Sequence, residues 1–388
     1  MSHGSDMLDT ARALAPTIAA FADRVEAERR LPAPLSDALH EAGLFRMLLP
    51  RSLGGAELAP PDFVQVMEEV AKADASTAWV LGQTAGCSMV AAYLTPAVAK
   101  AIFGPPRGVL AWGSGPQGRA VRVDGGFRLT GSWSYASGIR EATWIGAHTF
   151  VVEGDGTPAR HPDGAPTIRT LLFPAAQATI TDVWNVMGLR GTGSDTYEVN
   201  DLFVPHEHSA ARDEATERRE HGPLYCFSSG NLYASGFACV SLGIARALLD
   251  AYVALATEKT AHRAKTTLRE STVVQAQVAL GDARLRAARS HLLATLAGIE
   301  DTTRKAGEVT LEQRVRIRQA ASYASREGRE VGTAVYHAAG AQAIFTGGPW
   351  ERRLRDLHSV SQQLQGRDDH FEAVGRFLLG LPPDSPFI

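Results

Sequence analysis

The 388-residue chain is predicted to be an α+β protein whose β-rich middle separates two helical regions. Three observations predict this. Apolar residues recur at helical spacing through the first hundred or so positions. Short β-rich runs broken by glycine then occupy Gly108 to about Val204, and long helical patterns return after Ser228. These changes of texture divide the chain into an N-terminal helical domain (1–108), a central β domain (109–225) and a C-terminal helical bundle (226–388).

In the first region Leu35, Ala38, Leu39 and Ala42 trace a helix that Gly43 stops, and Phe63, Val66, Met67 and Val70 trace another after Pro60-Pro61 and Asp62. Ser76 is the candidate cap for the next helix. Its stretch from Thr77 to Leu94 carries no formal charge and is nearly long enough to span a bilayer. Gln83, Thr84, Gly86 and Ser88 lie within it and basic flanks are lacking, so it reads as a buried helix. Thr95-Pro96 has the form of a further helix start. In the middle region, Val121 to Thr130 reads as a hairpin around Asp124-Gly125-Gly126, and Gly154–Thr167 as an exposed loop. Beyond it the helical segments are Leu232–Ala256, Val273–Ile299, Leu311–Ala339 and His370–Leu379.

Net charge of -3 argues against electrostatic binding of nucleic acid. Arg314, Arg316 and Arg318 are expected to form a solvated helix face. Cys87, Cys226 and Cys239 fit neither a paired framework nor a metal spacing, as in a reducing compartment. The first residues carry no signal-peptide pattern. A cytoplasmic protein without membrane contact is expected.

Four stretches carry more specific information: Leu44-Phe-Arg-Met-Leu-Leu-Pro-Arg-Ser-Leu-Gly-Gly55 with Ala75-Ser-Thr-Ala-Trp-Val80; Gly131-Ser-Trp-Ser-Tyr-Ala-Ser-Gly-Ile139 with Trp144; Trp184-Asn-Val-Met-Gly-Leu-Arg-Gly-Thr-Gly-Ser-Asp-Thr196 running to Asp201-Leu-Phe-Val-Pro205; and Arg355-Asp-Leu-His358. In this order they resemble the acyl-CoA dehydrogenase superfamily, from about residue 10 to about residue 380. They are most similar to its flavin-dependent monooxygenase branch, the oxygenase components of two-component hydroxylases. The resemblance implies an acyl-CoA dehydrogenase fold, with a central β-barrel or sandwich and a C-terminal four-helix bundle. It also implies reduced flavin (FADH2 or FMNH2) and O2 as cofactors, a separate flavin reductase, a small-molecule substrate and a homotetramer.

Site residues follow from the same resemblance. Trp112, Ser114, Ser137, Gly138, Arg190, Thr192 and Ser194 would neighbour the flavin. Arg263 would reach its phosphate, where a planar guanidinium matches the oxygens. Gln342, in Ala339–Ile344, would reach a neighbouring subunit's flavin. Cys87, Tyr225, Phe227, Tyr233 and Phe237 would line the substrate pocket, with bundle core as the alternative. Trp133 and Trp144 read as packing within the β domain.

Departures from the family pattern narrow the reaction. Where dehydrogenases carry a catalytic glutamate this chain has Leu364, and Glu372 lies further on. Where phenol hydroxylases carry a histidine it has Gln363, which donates a hydrogen bond but is no base near neutral pH. His358 remains, read chiefly as structural, and Ser137, Gln363 and His358 are the candidate catalytic residues. A base-poor site suits a substrate that is already nucleophilic: an amine, a thioether or an electron-rich indole. The rival readings are a dehydrogenase with a displaced base and a non-catalytic scaffold.

Overall fold

The computed structural model describes residues 3–212, 214–260, 265–385 and 388. Five helices come first: α1 (His3–Glu28), α2 (Ala33–Glu41), α3 (Pro60–Ala73), α4 (Ala75–Ser88) and α5 (Pro96–Phe103). Proline opens α2, α3 and α5, where its missing N–H costs nothing. Gly43, at φ 73°, ends α2 as expected. The cap of α4 is not Ser76 but Asp74, whose carboxylate accepts from Thr77 N and Oγ1, both at 2.7 Å. A carboxylate also suits the positive end of the helix dipole. Ser76 is thereby free to accept a hydrogen bond from Gly191 N at 3.2 Å.

The strands are β1 (Leu110–Trp112), β2 (Gly118–Val123), β3 (Gly126–Ala136), β4 (Trp144–Val152), β5 (Ile168–Pro174), β6 (Thr179–Thr181), β7 (Asp195–Pro205) and β8 (Ser209–Ala210). They form one mixed sheet ordered β6-β7-β3-β2-β4-β5-β8, with β1 parallel to β4. The predicted hairpin is β2–β3, closed by Val123 opposite Gly126, with Gly125 at φ 74° supplying the turn. The sheet curls on itself. Tyr197 of β7 donates to Gly146 O of β4 at 2.5 Å, although the two strands lie three places apart and flat neighbours stand about 4.8 Å from one another. Trp133 is fully buried in this curl and donates to His148 O at 2.8 Å.

The C-terminal helices are α6 (Ser229–Glu258), α7 (Thr272–Ala306), α8 (Leu311–Ala339), α9 (Glu351–Gln362) and α10 (His370–Leu378). Helices α6 to α9 pack on one another, and α6 also packs on α3 and α4. Both α4 and α6 are apolar because they are core helices. The expected arginine face of α8 is corrected. Arg318 is 1% exposed and donates to Gln365 O at 3.1 Å, while Arg316 is exposed. Residues two apart on a helix do not share a face, so the three arginines cannot all point to solvent.

Candidate flavin site

Strand β3 loses its register with β7 beyond Trp133. Tyr135 there takes a positive φ of 60°, and Gly138 follows at φ 77°, donating its N–H to Thr192 O at 3.0 Å. This bend carries Ser137 inward against α4, where a buried polar chain begins. Trp79 Nε1 donates to Ser137 Oγ (3.0 Å), Ser137 Oγ lies 2.6 Å from Ser194 Oγ, and Ser194 Oγ lies 2.7 Å from Thr192 Oγ1. Thr192 Oγ1 donates to Leu189 O at 2.9 Å. That last bond commits the single Thr192 proton, so Ser194 donates to Thr192 and Ser137 donates to Ser194. The proton of Ser137, a candidate catalytic residue, is held inside the protein. What Ser137 has left to offer is a lone pair.

The far end of the chain rests on α9. Leu189 is left-handed (φ 52°), and its carbonyl accepts from both Thr192 Oγ1 and Trp184 Nε1 (3.0 Å). Its N–H donates to Asp356 Oδ1 at 2.6 Å. Gly188 permits the approach, since a Cβ there would stand 2.2 Å from Arg355 O. Burial, then the Asp74 carboxylate, pushes Asp356 up to about 7. A carboxyl raised in the folded state stabilises the fold most at low pH, and that contribution is lost as pH rises through about 7. Asp356→Asn keeps the Oδ1 acceptor without the charge. Its unfolding free energy is expected to gain on the parent between pH 5 and pH 8, by an amount approaching a few kcal/mol at about 1.4 kcal/mol per unit of pKa displacement, with the melting temperature rising in step. A gap that does not widen with pH in calorimetry would count against this.

Trp79 also stacks on Phe237 (centroids 3.8 Å apart, planes 6° apart), and Phe237 on Tyr233 (5.7 Å, 7°). Tyr233 Oη is 3.5 Å from Cys87 Sγ, and burial raises that thiol to about 12, so it is not a nucleophile. Trp112 lies under the Arg212 guanidinium at 4.6 Å and edge-on to His148. Burial, then Arg212, holds His148 well below the usual histidine range, leaving it neutral, with Nδ1 2.8 Å from Thr170 Oγ1. Tyr225 and Phe227 belong to the same helical core cluster as Trp79 and Phe237, and Tyr225 donates to Leu48 O.

Gln363 caps the end of α9 and opens a 3-10 turn, Leu364–Gly366. Its Oε1 accepts from Gln365 N at 2.6 Å, while its Nε2 is buried without a hydrogen-bond partner among the described residues. His358 packs between α9 and α8, with Nε2 3.4 Å from Thr333 Oγ1, and burial lowers its pKa. Glu372 is exposed on α10. Ser114 and Gln342 are exposed as well. Arg190 borders a cleft of about 670 Å³ shared with Glu26, Arg352 and Arg355, and its buried Nε lacks a partner among the described residues. Arg263 lies outside the described residues.

Sequence reasoning missed two residues that organise the site, Trp79 and Asp356. Asp356 left a signal: it stands four residues from Arg352 and four from Val360, on the buried face of an otherwise arginine-rich helix.

Two helical domains flanking a curled mixed sheet define a flavoenzyme fold, and comparison with known proteins assigns it. Family models for the acyl-CoA dehydrogenase N-terminal domain and C-terminal domain match residues 4–105 and 235–365. The chain belongs to the acyl-CoA dehydrogenase superfamily and, within it, to the flavin-dependent monooxygenase branch. It is 27% identical over 356 residues to indole-3-acetate monooxygenase of Pseudomonas putida, covering 92% of this chain and 89% of the relative. It is 29% identical over 358 residues to the flavin-dependent monooxygenase oxygenase subunit HsaA of Rhodococcus jostii, covering 89% and 91%. Among solved structures, XiaF from Streptomyces in complex with FADH2 and glycerol superposes with a TM-score of 0.90 at 25% identity, covering 99% and 97%. Oxygenase components of this kind work with a separate reductase on a small molecule.

The residues present fit a reduced flavin. A flat ring bordered by carbonyls and carrying phosphate needs donors, and the buried Gln363 Nε2 and Arg190 Nε are both uncommitted within the described protein. Gly115, at φ 68°, leaves open space where a side chain would stand, beside Ser114.

Proposed function

We propose that this chain is the cytosolic oxygenase component of a two-component system, taking reduced FAD or FMN from its reductase and oxygenating a hydrophobic aromatic or amine-bearing small molecule. When bound, the reduced flavin supplies, with O2, an electrophilic oxygen. The protein's own part is to bind the flavin through Ser114, Gly138, Gln363 and Arg190, to hold Ser137 as an acceptor, and to keep water out with the Trp79–Phe237–Tyr233 stack. The observation that carries this reading is the end of α9. By the resemblance, Leu364 and a cap-bound Gln363 take the positions at which a dehydrogenase carries a carboxylate and a phenol hydroxylase a histidine. With no carboxylate or histidine at those two positions, an electron-rich ring such as an indole is favoured over a phenol, in keeping with the similarity to an indole-3-acetate monooxygenase.

Stopped-flow mixing of enzyme, reduced flavin and O2 tests the proposal. Colourless protein that consumes O2 only with reduced flavin supports it, whereas tightly held yellow flavin that an acyl-CoA bleaches would move the chain to the dehydrogenases.

The active form is proposed to be a homotetramer. The turn Gly340–Ile344 leaves Ile344 and Phe345 64% and 67% exposed beside Gln342, an apolar edge suited to a neighbouring subunit. Sedimentation should therefore give four copies, and a fully active monomer would contradict both the assembly and the role of Gln342.

A further inference from the structure

We propose that Asp356 is a positioning residue for the flavin-facing turn 184–194, acting through the Leu189 peptide on the hydrogen bonds of Trp184, Ser137 and Trp79. This rests on the reading that the turn and Ser137 neighbour the flavin. The geometry itself does not depend on that reading.

The left-handed Leu189 is a costly conformation for a residue with a side chain, and it persists only where its surroundings over-determine it. Besides the backbone bond from Thr192 N to its carbonyl, three side-chain hydrogen bonds do so. Asp356 Oδ1 holds the N–H, while Trp184 Nε1 and Thr192 Oγ1 hold the carbonyl. Among the described residues only Asp356 comes from outside the turn. Its hold is close, because Gly188 brings the turn onto the backbone of α9. From the carbonyl of Leu189 the directional chain Thr192, Ser194, Ser137 and Trp79 runs without a gap. Asp356 thus sets where that chain begins, and the indole of Trp79 stands where it ends. The same helix ends at Gln363, so one rigid element carries both the anchor of the turn and the uncommitted donor.

The groups acting on Asp356 come from three elements: Asp74 at the start of α4, Glu26 on α1, and Arg352 on α9 itself. Burial sets its ionisation near neutrality, so the charge on the anchor changes within an accessible range.

The test uses the full-length protein labelled with fluorotryptophan. The ¹⁹F signals of Trp79 and Trp184 are assigned by Trp79→Phe and Trp184→Phe, and reduced FAD is titrated anaerobically in parallel. Asp356→Ala should shift both signals, leave those of Trp133 and Trp144 in place, and weaken reduced-FAD binding about tenfold. Asp356→Asn, which restores the acceptor, should return both signals and bring affinity to within about twofold of the parent. In the parent, the Trp184 signal should titrate between about pH 5.5 and 8.5, and in Asp356→Asn it should stay flat. The titration decides the matter even if Asp356→Ala does not fold. A flat parent titration, or folded Asp356→Ala with unmoved Trp79 and Trp184 signals, would overturn the proposal. Signals that respond in a protein with no affinity for reduced FAD would uphold the positioning role and remove the flavin reading instead.

Discussion

Ser137→Ala is expected to uncouple the enzyme, raising H2O2 release per O2 consumed by about tenfold or more and weakening reduced-flavin binding. The reason is its place in the middle of the buried chain. Ser137 accepts from Trp79 Nε1 and donates to Ser194, so alanine removes a partner from each side. A buried polar group left without a partner costs about 1–3 kcal/mol, which for either neighbour corresponds to one or two powers of ten. The indole of Trp79 would then be held by its stack on Phe237 alone. Thr192→Val gives the comparison, since it cuts the chain further from Trp79 and should uncouple less. Trp79→Phe keeps a ring on Phe237 but removes the donor, and should resemble Ser137→Ala. Product yield per O2 and the anaerobic dissociation constant are the measurements. A folded Ser137→Ala enzyme with parental coupling and affinity would take Ser137 out of the site.

Much of this architecture is visible in the residues because local signals agree with the fold. Asp124-Gly125 closes the β2–β3 hairpin, and α8 runs from Leu311 to Ala339 behind a capping box in which Thr310 and Gln313 satisfy each other's backbone. The site was legible only as a set of segments. Ser137, Thr192 and Ser194 stand in two stretches 55 residues or more apart, and nothing local says that their hydroxyls meet or which one gives its proton away. Asp74 and Ser76 show the same limit. Both are good caps, and only the folded chain shows that Asp74 takes the cap while Ser76 accepts from Gly191, 115 positions further on. Asp356 is the extreme case. An acid on an arginine-rich helix looks like one more surface ion pair, and only the loop folded against it by Gly188 turns it into a buried acceptor.

Gln363 offers the sharper test of the chemistry, because its two ends have separate roles. Oε1 closes the cap on Gln365 N, and Nε2 is the buried donor with no partner among the described residues. Gln363→Leu removes both, so it is expected to lose stability and coupling together. Gln363→Glu keeps an acceptor for the cap and removes the donor. It should therefore stay folded and still uncouple about tenfold, the scale of one buried hydrogen bond. In the parent no histidine should control the rate. His358 is held below its ordinary value by burial, then by Arg329 and His337, and it packs against Thr333. The oxygenation rate should thus lack a histidine limb near the unperturbed value of about 6.5, and apart from an Asp356 limb near 7 that Asp356→Asn removes, any rise with pH should follow deprotonation of an amine substrate. Gln363→His should introduce such a limb. His358→Ala is the control, expected to cost some stability without altering the profile. A bell-shaped parent profile that His358→Ala abolishes, in protein that stays folded and assembled, would make His358 the base. The enzyme would then fall among the base-assisted hydroxylases, and phenols would be the substrates to try first.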